Sequence, residues 1–450
     1  MPVPDTLSVI LAAGKGTRMK SDIPKPLHQI AGRTLLGHAM HAARAAEHSQ
    51  IAVVIGPDMD NVKAETTTHD PSAQTFVQHR QAGTADAVLA AKDAIRQHNG
   101  DMFVLFCDTP MLQAETLNRV SDALDQGANI VVLGFEADDP TGYGRLLTDT
   151  RGELIAIRED RDATEAERQT KLCNSGVMAF RCPDLLGLLD RIGNDNSKGE
   201  YYLTDAIAIA REDGLSCKAI TCDEEELLGI NDRVQLATAE SKYQQRLRRQ
   251  AMINGATMIA PETVWLSYDT VIGQDVVIEP NVFIGPNVTI EDGALIRANS
   301  HLEGAHVAAA CRVGPFARLR PGARLGDQVH VGNFVEVKNV EMGRGAKANH
   351  LAYLGDGTIG EGANIGAGTI FCNYDGFRKH TTTVKKGAFV GSNSALVAPV
   401  EIGEGAFVGS GSVVTKNVPA DSLMVERAPI TVKEGWAAKF RTMMSRRSKT

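Results

Sequence analysis

A six-residue rhythm of aliphatic positions runs through the second half of the chain. From Ile272 the sequence divides into IGQDVV, IEPNVF, IGPNVT, IEDGAL, IRANSH and LEGAHV, and from Val384 into VKKGAF, VGSNSA, LVAPVE, IGEGAF, VGSGSV and VTKNVP. This period is typical of a parallel β-helix, in which each hexapeptide forms a short strand and a turn with its aliphatic residue inside. One rung buries that residue only against its neighbours, so stacking of the rungs makes the core.

The rhythm is interrupted at two places. The aliphatic register jumps by eleven residues from Leu302 to Val313, and a thirteen-residue segment, FCNYDGFRKHTTT (371–383), precedes the last six repeats. Insertions in such solenoids become loops on one face, often the binding face. With three hexapeptides per coil, we expect Ile272 to Pro419 to form roughly eight coils.

The first half alternates between apolar runs and helical patterns. Strands are predicted at IAVVIG (51–56), MFVLFCD (102–108) and NIVVLGF (129–135), with helix-like stretches such as DAVLAAKDAI between them. This alternation predicts an α/β fold with a mainly parallel sheet. A polar helical pattern, DRVQLATAESKYQQRLRRQ, then connects the two halves. We therefore expect an α/β domain over residues 1–231, a linker helix over 232–254, and a β-helix domain with a C-terminal tail over 255–450.

Composition narrows the classes of partner. The chain has 450 residues and a net charge of −8, which argues against nucleic acid as the main partner, although the end of the chain is basic (KFRTMMSRRSKT). No segment resembles a signal peptide or reaches the ~20 apolar residues of a membrane span, so no membrane insertion is expected. The seven cysteines form no CxxC pair. This cysteine pattern favours a reducing compartment, and we expect a cytoplasmic protein.

A glycine-bearing basic loop follows the first apolar run of the chain. The segment from Leu7 reads LSVILAAGKGTRMKSDIPKPLHQIAG, which places backbone N–H groups and cations at the edge of a sheet where α/β folds bind ligands. The loop matches neither GxGxxG nor GxxxxGK[ST], and alone it also fits an ordinary strand-to-helix turn. Asp108, at the end of a predicted strand, faces the same crevice and could hold Mg²⁺ with nucleotide phosphates, or act as a turn or capping residue.

The residues carry a resemblance to a known family. LAAGKGTRM with PKPLH resembles the signature of sugar-1-phosphate nucleotidylyltransferases, and with a hexapeptide array it resembles the bifunctional N-acetylglucosamine-1-phosphate uridylyltransferase/glucosamine-1-phosphate acetyltransferases. Further matching segments follow in order along nearly the whole chain: DPTGYGR, CNSGVMAF, GEYYLTD, GINDR, GPFARLRPGA, VGNFVEVKN, NIGAGTI, CNYDG, LVAPV and KEGW. The resemblance implies a Rossmann-like nucleotidyltransferase domain with a mixed, mainly parallel sheet, a left-handed parallel β-helix, and a homotrimer.

The family's first reaction implies a set of residues in the β-helix. Acetyl-CoA would acetylate glucosamine-1-phosphate, with His350 as general base, because the amine must lose its proton before it attacks a thioester. Taken alone, a single histidine is more often structural or exposed. The resemblance places the sugar phosphate and its amine at Arg320, Lys338, Tyr353 and Asn364, with Glu336 nearby. It places acetyl-CoA at Ala367, Asn373, Tyr374, Ser392, Ser410 and Arg427, with Lys379 available to the phosphates.

The second reaction would transfer UMP from UTP to N-acetylglucosamine-1-phosphate and release pyrophosphate. The attacking phosphate is already an anion, so positioning and charge neutralisation matter more than a general base. The resemblance implies that Arg18 and Lys25 hold the triphosphate and that Asp108 and Asn231 bind Mg²⁺. It places UTP and the sugar nucleotide at Leu11, Ala12, Gly14, Lys25, Gln78, Gly83, Thr84, Gly144, Glu159, Asn174 and Asn231.

Two departures and two alternatives accompany this resemblance. Asp86 stands where the family usually has a histidine, and Cys107 stands where a small residue usually precedes the metal-binding aspartate. One alternative is a monofunctional sugar-1-phosphate nucleotidylyltransferase whose β-helix serves only assembly. The other is a scaffold protein with a degenerate nucleotide site. The set of Arg320, Lys338, His350 and Tyr353 argues against the first, and the presence of Lys25, Asp108 and Asn231 argues against the second.

Overall fold

The computed structural model describes residues 5–181 and 184–447, so Cys182 and the last three residues of the basic tail lie outside the described residues. The chain divides into two compact units, one ending at Leu247 and the other beginning at Arg248. Within the described ranges, no helix combines the length and hydropathy that a membrane span requires.

The first unit is an α/β structure. Its strands in the described residues are β1 (Thr6–Leu11), β2 (Gln29–Ile30), β3 (Arg33–Thr34), β4 (Gln50–Ile55), β5 (Gln74–Val77), β6 (Asp101–Phe106), β7 (Ile130–Glu136), β8 (Arg145–Thr148), β9 (Leu154–Arg158), β10 (Leu172–Phe180) and β11 (Cys217–Thr221). Its α-helices are α1 (Leu35–Ala45), α2 (Asp60–His69), α3 (Thr84–Ala90), α4 (Lys92–Gln97), α5 (Ala114–Asp125), α6 (Glu165–Arg168), α7 (Leu185–Asp190) and α8 (Ala206–Glu212).

The central sheet has the strand order β11-β7-β10-β6-β1-β4-β5, with β8 and β9 attached beside β10. The pairs β1–β4, β1–β6, β4–β5 and β7–β11 are parallel, whereas β10 runs antiparallel to both β6 and β7. Both sides of β1 and β6 are buried because helices cover the two faces of the sheet. The predicted mixed, mainly parallel sheet is confirmed.

Each of the three strands predicted in the first half ends one or two residues away from its predicted end. The second predicted strand ends at Phe106, so Asp108 lies in the turn beyond β6 and not at the end of the strand itself. Helix α9 (Arg233–Ile253) occupies the polar segment between the halves. Within the first unit its Glu240 carboxylate accepts hydrogen bonds from the backbone N–H of Ala31. The domain limits given above remain our proposal.

The second unit is a parallel β-helix. Its first face is a ten-stranded sheet in the described residues: β12 (Thr257–Met258), β15 (Val277–Ile278), β18 (Leu295–Ile296), β21 (Arg312–Val313), β24 (His330–Asn333), β26 (Lys347–His350), β28 (Asn364–Ile365), β31 (Phe389–Val390), β34 (Phe407–Val408) and β36 (Leu423–Met424). Eight of these strands, β15 to β34, lie between Ile272 and Pro419, which confirms the expected number of coils.

The other two faces join into one sheet because two long strands, β25 (Glu336–Met342) and β27 (Tyr353–Ile359), turn the corner between them. Face two also contains β13 (Trp265–Leu266), β16 (Phe283–Ile284), β19 (His301–Leu302), β22 (Arg318–Leu319), β29 (Ile370–Cys372), β32 (Ala395–Val397) and β35 (Val413–Val414). Face three also contains β14 (Val271–Ile272), β17 (Thr289–Ile290), β20 (Ala305–Val307), β23 (Ala323–Leu325), β30 (Thr382–Val384) and β33 (Val400–Ile402). All strand pairs in these sheets are parallel, and the left hand of the coil stays a prediction.

The eleven-residue jump in the register is a shortened rung and not an insertion. Val307 takes the inward position between Leu302 and Val313 and is fully buried. In the parallel register, Ile290 pairs with Val307 and Leu302 with Leu319, so this coil repeats after seventeen residues. The prediction missed this rung because the count assumed six residues throughout.

The segment after β29 is a projecting loop, as the interruption at residues 371–383 predicts. Tyr374 and Lys379 form an antiparallel bridge across it, and Phe377 at its tip is 92% exposed. Beyond β36 the chain continues to helix α10 (Trp436–Arg447), in which the described side chains up to Arg446 are exposed.

Candidate functional sites

A cleft of about 360 Å³ opens at the carboxyl ends of β1 and β6. These neighbouring parallel strands end at the same edge of the sheet, and the chain leaves each of them in a loop. Among the residues expected to bind UTP or Mg²⁺, the cleft is lined by Leu11, Ala12, Gly14, Lys25, Gln78, Gly83, Thr84 and Asp108. Phe106 and Glu200 also line it; Glu200 belongs to the matching segment GEYYLTD, but the sequence analysis assigned neither residue to the site.

Lys25 lies at the centre of a three-residue cluster. Its Nζ is 2.5 Å from Asp108 Oδ2 and 3.1 Å from Asn231 Oδ1. The Ile230 N–H donates to the backbone carbonyl of Asp108 at 2.9 Å, which holds the segment bearing Asn231 against the loop after β6. Residues far apart in the sequence thus direct two oxygen atoms at one cation.

Gly16 makes room for Lys25. Its backbone is left-handed, with φ 58° and ψ 34°, a conformation that glycine adopts at little cost. A Cβ atom added to Gly16 would lie 2.6 Å from Lys25 Cβ. The glycine therefore has both a conformational and a packing reason to be present, and it sets the position of the lysine.

The cluster fits a magnesium ion. Mg²⁺ prefers oxygen ligands and is usually held by one or two carboxylates together with water and substrate phosphates. Asp108 and Asn231 supply one carboxylate and one amide oxygen, which already converge on the ammonium of Lys25. No group of three or more His, Cys, Asp or Glu residues among those described forms a metal cage, so most ligands of such an ion would come from substrate and water.

Cys107, the departure beside the metal aspartate, is a buried thiol. Burial, followed by the negative charge of Asp108, raises the pKa of Cys107 to about 12. The side chain therefore stays a neutral thiol near neutral pH, and thiolate is the reactive form of cysteine. Its backbone N–H donates to the Leu11 carbonyl at 3.3 Å, which ties the ends of β6 and β1 together.

The loop between β5 and α3 forms another wall of the cleft. Gln78 donates from Nε2 to the Gly83 carbonyl at 3.0 Å and to Asp86 Oδ2 at 2.9 Å. Gly83 is close to the backbone of Tyr201, because an added Cβ would lie 2.5 Å from the Tyr201 carbonyl oxygen. Thr84 accepts from the Leu203 N–H at 2.9 Å. Asp86, noted in the sequence only as a departure, does not line the cleft itself but accepts a hydrogen bond from Gln78, which does.

The residues expected to contact the sugar lie together. A Cβ on Gly144 would be 3.5 Å from Asn174 Cβ and 3.6 Å from Glu159 Oε1, and the Asn174 N–H donates to the Gly144 carbonyl at 2.8 Å. Burial raises the pKa of Glu159. Arg18, in contrast, is exposed in the short 3-10 helix Thr17–Met19 and does not line the described cleft.

In the β-helix, a lysine again faces an aspartate. Lys338 Nζ lies 3.7 Å from Asp356 Oδ2, and the same carboxylate oxygen accepts from Asn373 Nδ2 at 2.5 Å. The neighbouring Lys379 amine, followed by burial, lowers the pKa of Lys338 despite the opposing charge of Asp356. Asp356, which the sequence analysis did not single out, therefore joins an expected sugar-phosphate residue to an expected acetyl-CoA residue.

Arg320 and Tyr353 lie beside Glu336. Arg320 Nη1 donates to Glu336 Oε1 at 2.8 Å, and Glu336 and Tyr353 are register partners on β25 and β27. Asn364 is on β28 of the first face, around a corner from these residues. Among the described residues, no hydrogen bond joins the side chain of Asn364 to the side chains of the other three.

His350 ends β26, three residues before Tyr353 begins β27. Its Nδ1 lies 2.6 Å from Asn333 Oδ1, an oxygen that only accepts, so Nδ1 carries the proton and Nε2 has the free lone pair. Both residues line a cleft of about 220 Å³ on the first face, together with three basic side chains, Arg297, Arg312 and His330. Asn333 belongs to the matching segment VGNFVEVKN, but nothing in the sequence pairs it with His350.

The residues expected to contact acetyl-CoA occur at successive turns. Ala367, Ser392 and Ser410 each stand two residues after an inward aliphatic residue that ends a strand of the first face. The close approach of these turns is shown at Gly391, where an added Cβ would lie 2.4 Å from the Ser410 nitrogen. Tyr374 is exposed in the projecting loop, and Arg427 is exposed beyond β36.

The fold and the two sites define a nucleotidyltransferase joined to a hexapeptide-repeat transferase. Residues 8–171 match the model of the MobA-like NTP transferase domain, and residues 269–304 and 381–416 match that of the bacterial transferase hexapeptide (six repeats). The chain is 56% identical to the bifunctional protein GlmU of Azorhizobium caulinodans over 97% of both chains. It is 53% identical to that of a Bradyrhizobium species over the full length of both, and 55% identical to that of Nitrobacter hamburgensis over 97% of this chain and 96% of the relative.

The chain belongs to the family of the bifunctional protein GlmU. The match spans both units, so the expectation of one enzyme with a uridylyltransferase and a glucosamine-1-phosphate acetyltransferase activity is confirmed. UTP and acetyl-CoA are accordingly its cosubstrates.

Proposed function

We propose that the cleft of the first unit holds UTP with Lys25 and Arg18 on its phosphates, and that the β-helix acetylates the sugar with His350 as base. The observation that carries the first assignment is the convergence of Asp108 and Asn231 on the Lys25 ammonium. The observation that supports the second is the hydrogen bond between His350 and Asn333, which leaves Nε2 free to accept a proton.

In uridylyl transfer, an oxygen of the sugar phosphate attacks the α-phosphorus of UTP and pyrophosphate leaves. Both reactants are anions, so catalysis depends on bringing them together and neutralising their charge. Lys25 supplies a fixed positive charge at the cleft, and Gly144, Glu159 and Asn174 orient the sugar. Asp108 and Asn231 would hold Mg²⁺, which when bound neutralises phosphate charge.

In acetyl transfer, the amine of glucosamine-1-phosphate attacks the carbonyl carbon of the thioester. His350 Nε2 accepts the proton that the amine loses, and coenzyme A leaves as the thiol. Arg320 and Lys338 contact the sugar phosphate, while Tyr353 and Asn364 orient the sugar. Acetyl-CoA extends along the turns at Ala367, Ser392 and Ser410, with Asn373, Tyr374 and Arg427 around it.

We also propose a homotrimer in the cytoplasm. Several described aromatic side chains on the outside of the β-helix form stacked, exposed pairs, such as Phe389 and Phe407 with ring centroids 4.4 Å apart. Burial of such flat faces favours side-by-side packing of like chains. The cysteines within the described residues are all free thiols, which suits a reducing compartment.

The test uses the purified full chain with glucosamine-1-phosphate, acetyl-CoA, UTP and Mg²⁺, and follows free thiol and pyrophosphate in parallel. We expect thiol release to require acetyl-CoA alone among the cosubstrates, and pyrophosphate release to require both. His350→Ala should abolish thiol release but still convert N-acetylglucosamine-1-phosphate, and Asp108→Ala should do the reverse. His306→Ala and Asp93→Ala, at other positions in the same units, serve as matched controls.

Two results would contradict the assignment of separate sites. One is a single variant that loses both activities while its thermal unfolding is unchanged. The other is pyrophosphate release from N-acetylglucosamine-1-phosphate with no thiol release from glucosamine-1-phosphate in the unmodified protein. The second result would reduce the β-helix to an assembly domain.

A further inference from the structure

The side chain of Gln78 is held from one side by two acceptors. Gln78 lines the cleft and is only 6% exposed. Its Nε2 atom donates to the Gly83 carbonyl oxygen at 3.0 Å and to Asp86 Oδ2 at 2.9 Å. An amide nitrogen carries two N–H groups, so both are used in these two bonds.

The chemistry of the two partners determines which way the amide points. A backbone carbonyl only accepts, and an ionised carboxylate only accepts. Burial would raise the pKa of Asp86, but hydrogen bonds from Gln78, Arg80 and the Ala82 N–H outweigh it and hold that pKa below its usual range. With both partners as acceptors, a flipped amide would place two oxygens against each other, so Nε2 must face them.

Asp86 is itself fixed. Arg80 donates to Asp86 Oδ1 from Nε at 3.2 Å and from Nη2 at 2.8 Å, and the Ala82 N–H donates to Oδ2 at 3.2 Å. The carboxylate therefore has one well-defined orientation. Within the described residues, no donor is bonded to Gln78 Oε1, so the amide presents an acceptor oxygen for a ligand.

We propose that Asp86 is a positioning residue that fixes the Gln78 amide with its oxygen toward the nucleotide, and that this selects uracil over cytosine. Uracil offers an N–H donor at ring position 3, whereas cytosine has an acceptor there. The fixed oxygen of Gln78 pairs with the first and repels the second. The inference rests on the proposed placement of UTP in this cleft. It deepens that proposal by naming Asp86 as the group that orients Gln78, the residue expected to recognise the base.

Asp86→Ala removes one of the two acceptors that oppose the flipped amide and leaves the Gly83 carbonyl oxygen as the other. The flipped orientation of Gln78 then becomes less unfavourable, and in that orientation Nε2 can meet the cytosine acceptor. We expect the ratio of kcat/KM for UTP over CTP to fall on the order of tenfold, the value of about one hydrogen bond. The loss for UTP should appear mainly in KM, because Asp86 does not touch the reacting phosphates.

The experiment compares pyrophosphate release from UTP and CTP, with N-acetylglucosamine-1-phosphate, in the unmodified enzyme, Asp86→Ala, Gln78→Ala and the double variant. Asp93→Ala is the matched control, since Asp93 also pairs with an arginine, at 3.1 Å, but on the surface of α4. If Asp86 acts through Gln78, the double variant should have the same UTP-to-CTP ratio as Gln78→Ala alone. Acetyl transfer should be unchanged in all variants.

Calorimetric affinities for UTP and CTP on the same proteins test the inference even without turnover. An Asp86→Ala variant that weakens both nucleotides by the same factor would overturn the proposal and leave Asp86 a purely structural residue. A ratio that falls further in the double variant than in Gln78→Ala would also overturn it. Failure of the proposed function would look different, because the unmodified protein would then bind UTP without releasing pyrophosphate.

Discussion

Gly16→Ala is a single-atom perturbation aimed at Lys25. The added methyl carbon would lie 2.6 Å from Lys25 Cβ, and non-bonded carbons normally stay at least about 3.5 Å apart. The atom it meets is close to the lysine backbone, so a change of side-chain rotamer does not relieve the contact. The lysine backbone, the glycine loop, or both must move apart by roughly 1 Å.

Two effects of different size follow from that geometry. Alanine in the left-handed conformation costs about 1–2 kcal/mol, which lowers the melting temperature of a domain of this size by about 2–4 °C per kcal/mol. The displacement of Lys25 acts on catalysis instead. A misplacement of about 1 Å costs on the order of a hundredfold in rate, so we expect uridylyl transfer to fall by about that factor.

The assay measures pyrophosphate and thiol release separately, together with thermal unfolding. Gly127→Ala is the matched control, because Gly127 also has a positive φ, +98°, but an added Cβ there meets no atom within 4 Å. It should reproduce the loss of stability without the loss of uridylyl transfer. Acetyl transfer should be normal in both variants.

Retention of uridylyl transfer within about twofold of the unmodified enzyme, with the expected fall in melting temperature, would refute the reasoning. It would show either that the loop absorbs the methyl group without moving Lys25, or that the exact position of the lysine does not matter. A matching loss of activity in Gly127→Ala would show that strain alone disables the site.

Two further predictions concern the β-helix. Asn333→Ala removes the acceptor that holds the His350 tautomer, so kcat for acetyl transfer should fall on the order of tenfold. Asn333→Asp still offers an acceptor and should retain more activity. An equal loss of kcat in the two variants would contradict this prediction. Lys379→Met removes the neighbour that does most to lower the pKa of Lys338, so Lys338 should keep its charge to higher pH. The KM for glucosamine-1-phosphate should therefore begin to rise at a higher pH in this variant than in the unmodified enzyme. Titration of the substrate affects both proteins equally. Superimposable profiles of KM against pH would contradict the prediction.

The β-helix could be predicted almost entirely because its period is local. Most inward positions repeat six residues after the last, and burial of Ile278, Ile284 and Ile290 follows from stacking alone. The count failed where a rung has five residues, which happens from Leu302 to Val307, from Val337 to Met342 and from Leu354 to Ile359. The predicted repeats also began too late in the chain, at Ile272, because the first strand of the β-helix in the structure starts at Thr257.

The nucleotide cleft was only partly predictable. The strand order of an α/β sheet brings the loops after β1 and β6 to one edge, so a basic loop and an aspartate could be expected to meet there. Contacts such as the one from Lys25 to Asn231 join residues 206 positions apart, and no local pattern encodes them. Asp356 was overlooked for the same reason, and Asp86 was noted only as a departure without its hydrogen-bond partners, because each accepts hydrogen bonds from residues that only the fold brings together.

The two candidate sites share a lysine–aspartate pair, an arrangement that would suit anionic substrates. Lys25 lies 2.5 Å from the Asp108 carboxylate, and Lys338 lies 3.7 Å from that of Asp356. A cation held in a partly buried cleft loses hydration, and a nearby carboxylate offsets that cost before any anion is bound. All four side chains keep between 12% and 24% of their surface exposed, so an incoming phosphate can compete with the carboxylate for the ammonium. We therefore expect both aspartates to stabilise the sites before an anion binds. In the bound state the positive charge of the lysines would act on the phosphate, and Asp108 would in addition be available to Mg²⁺.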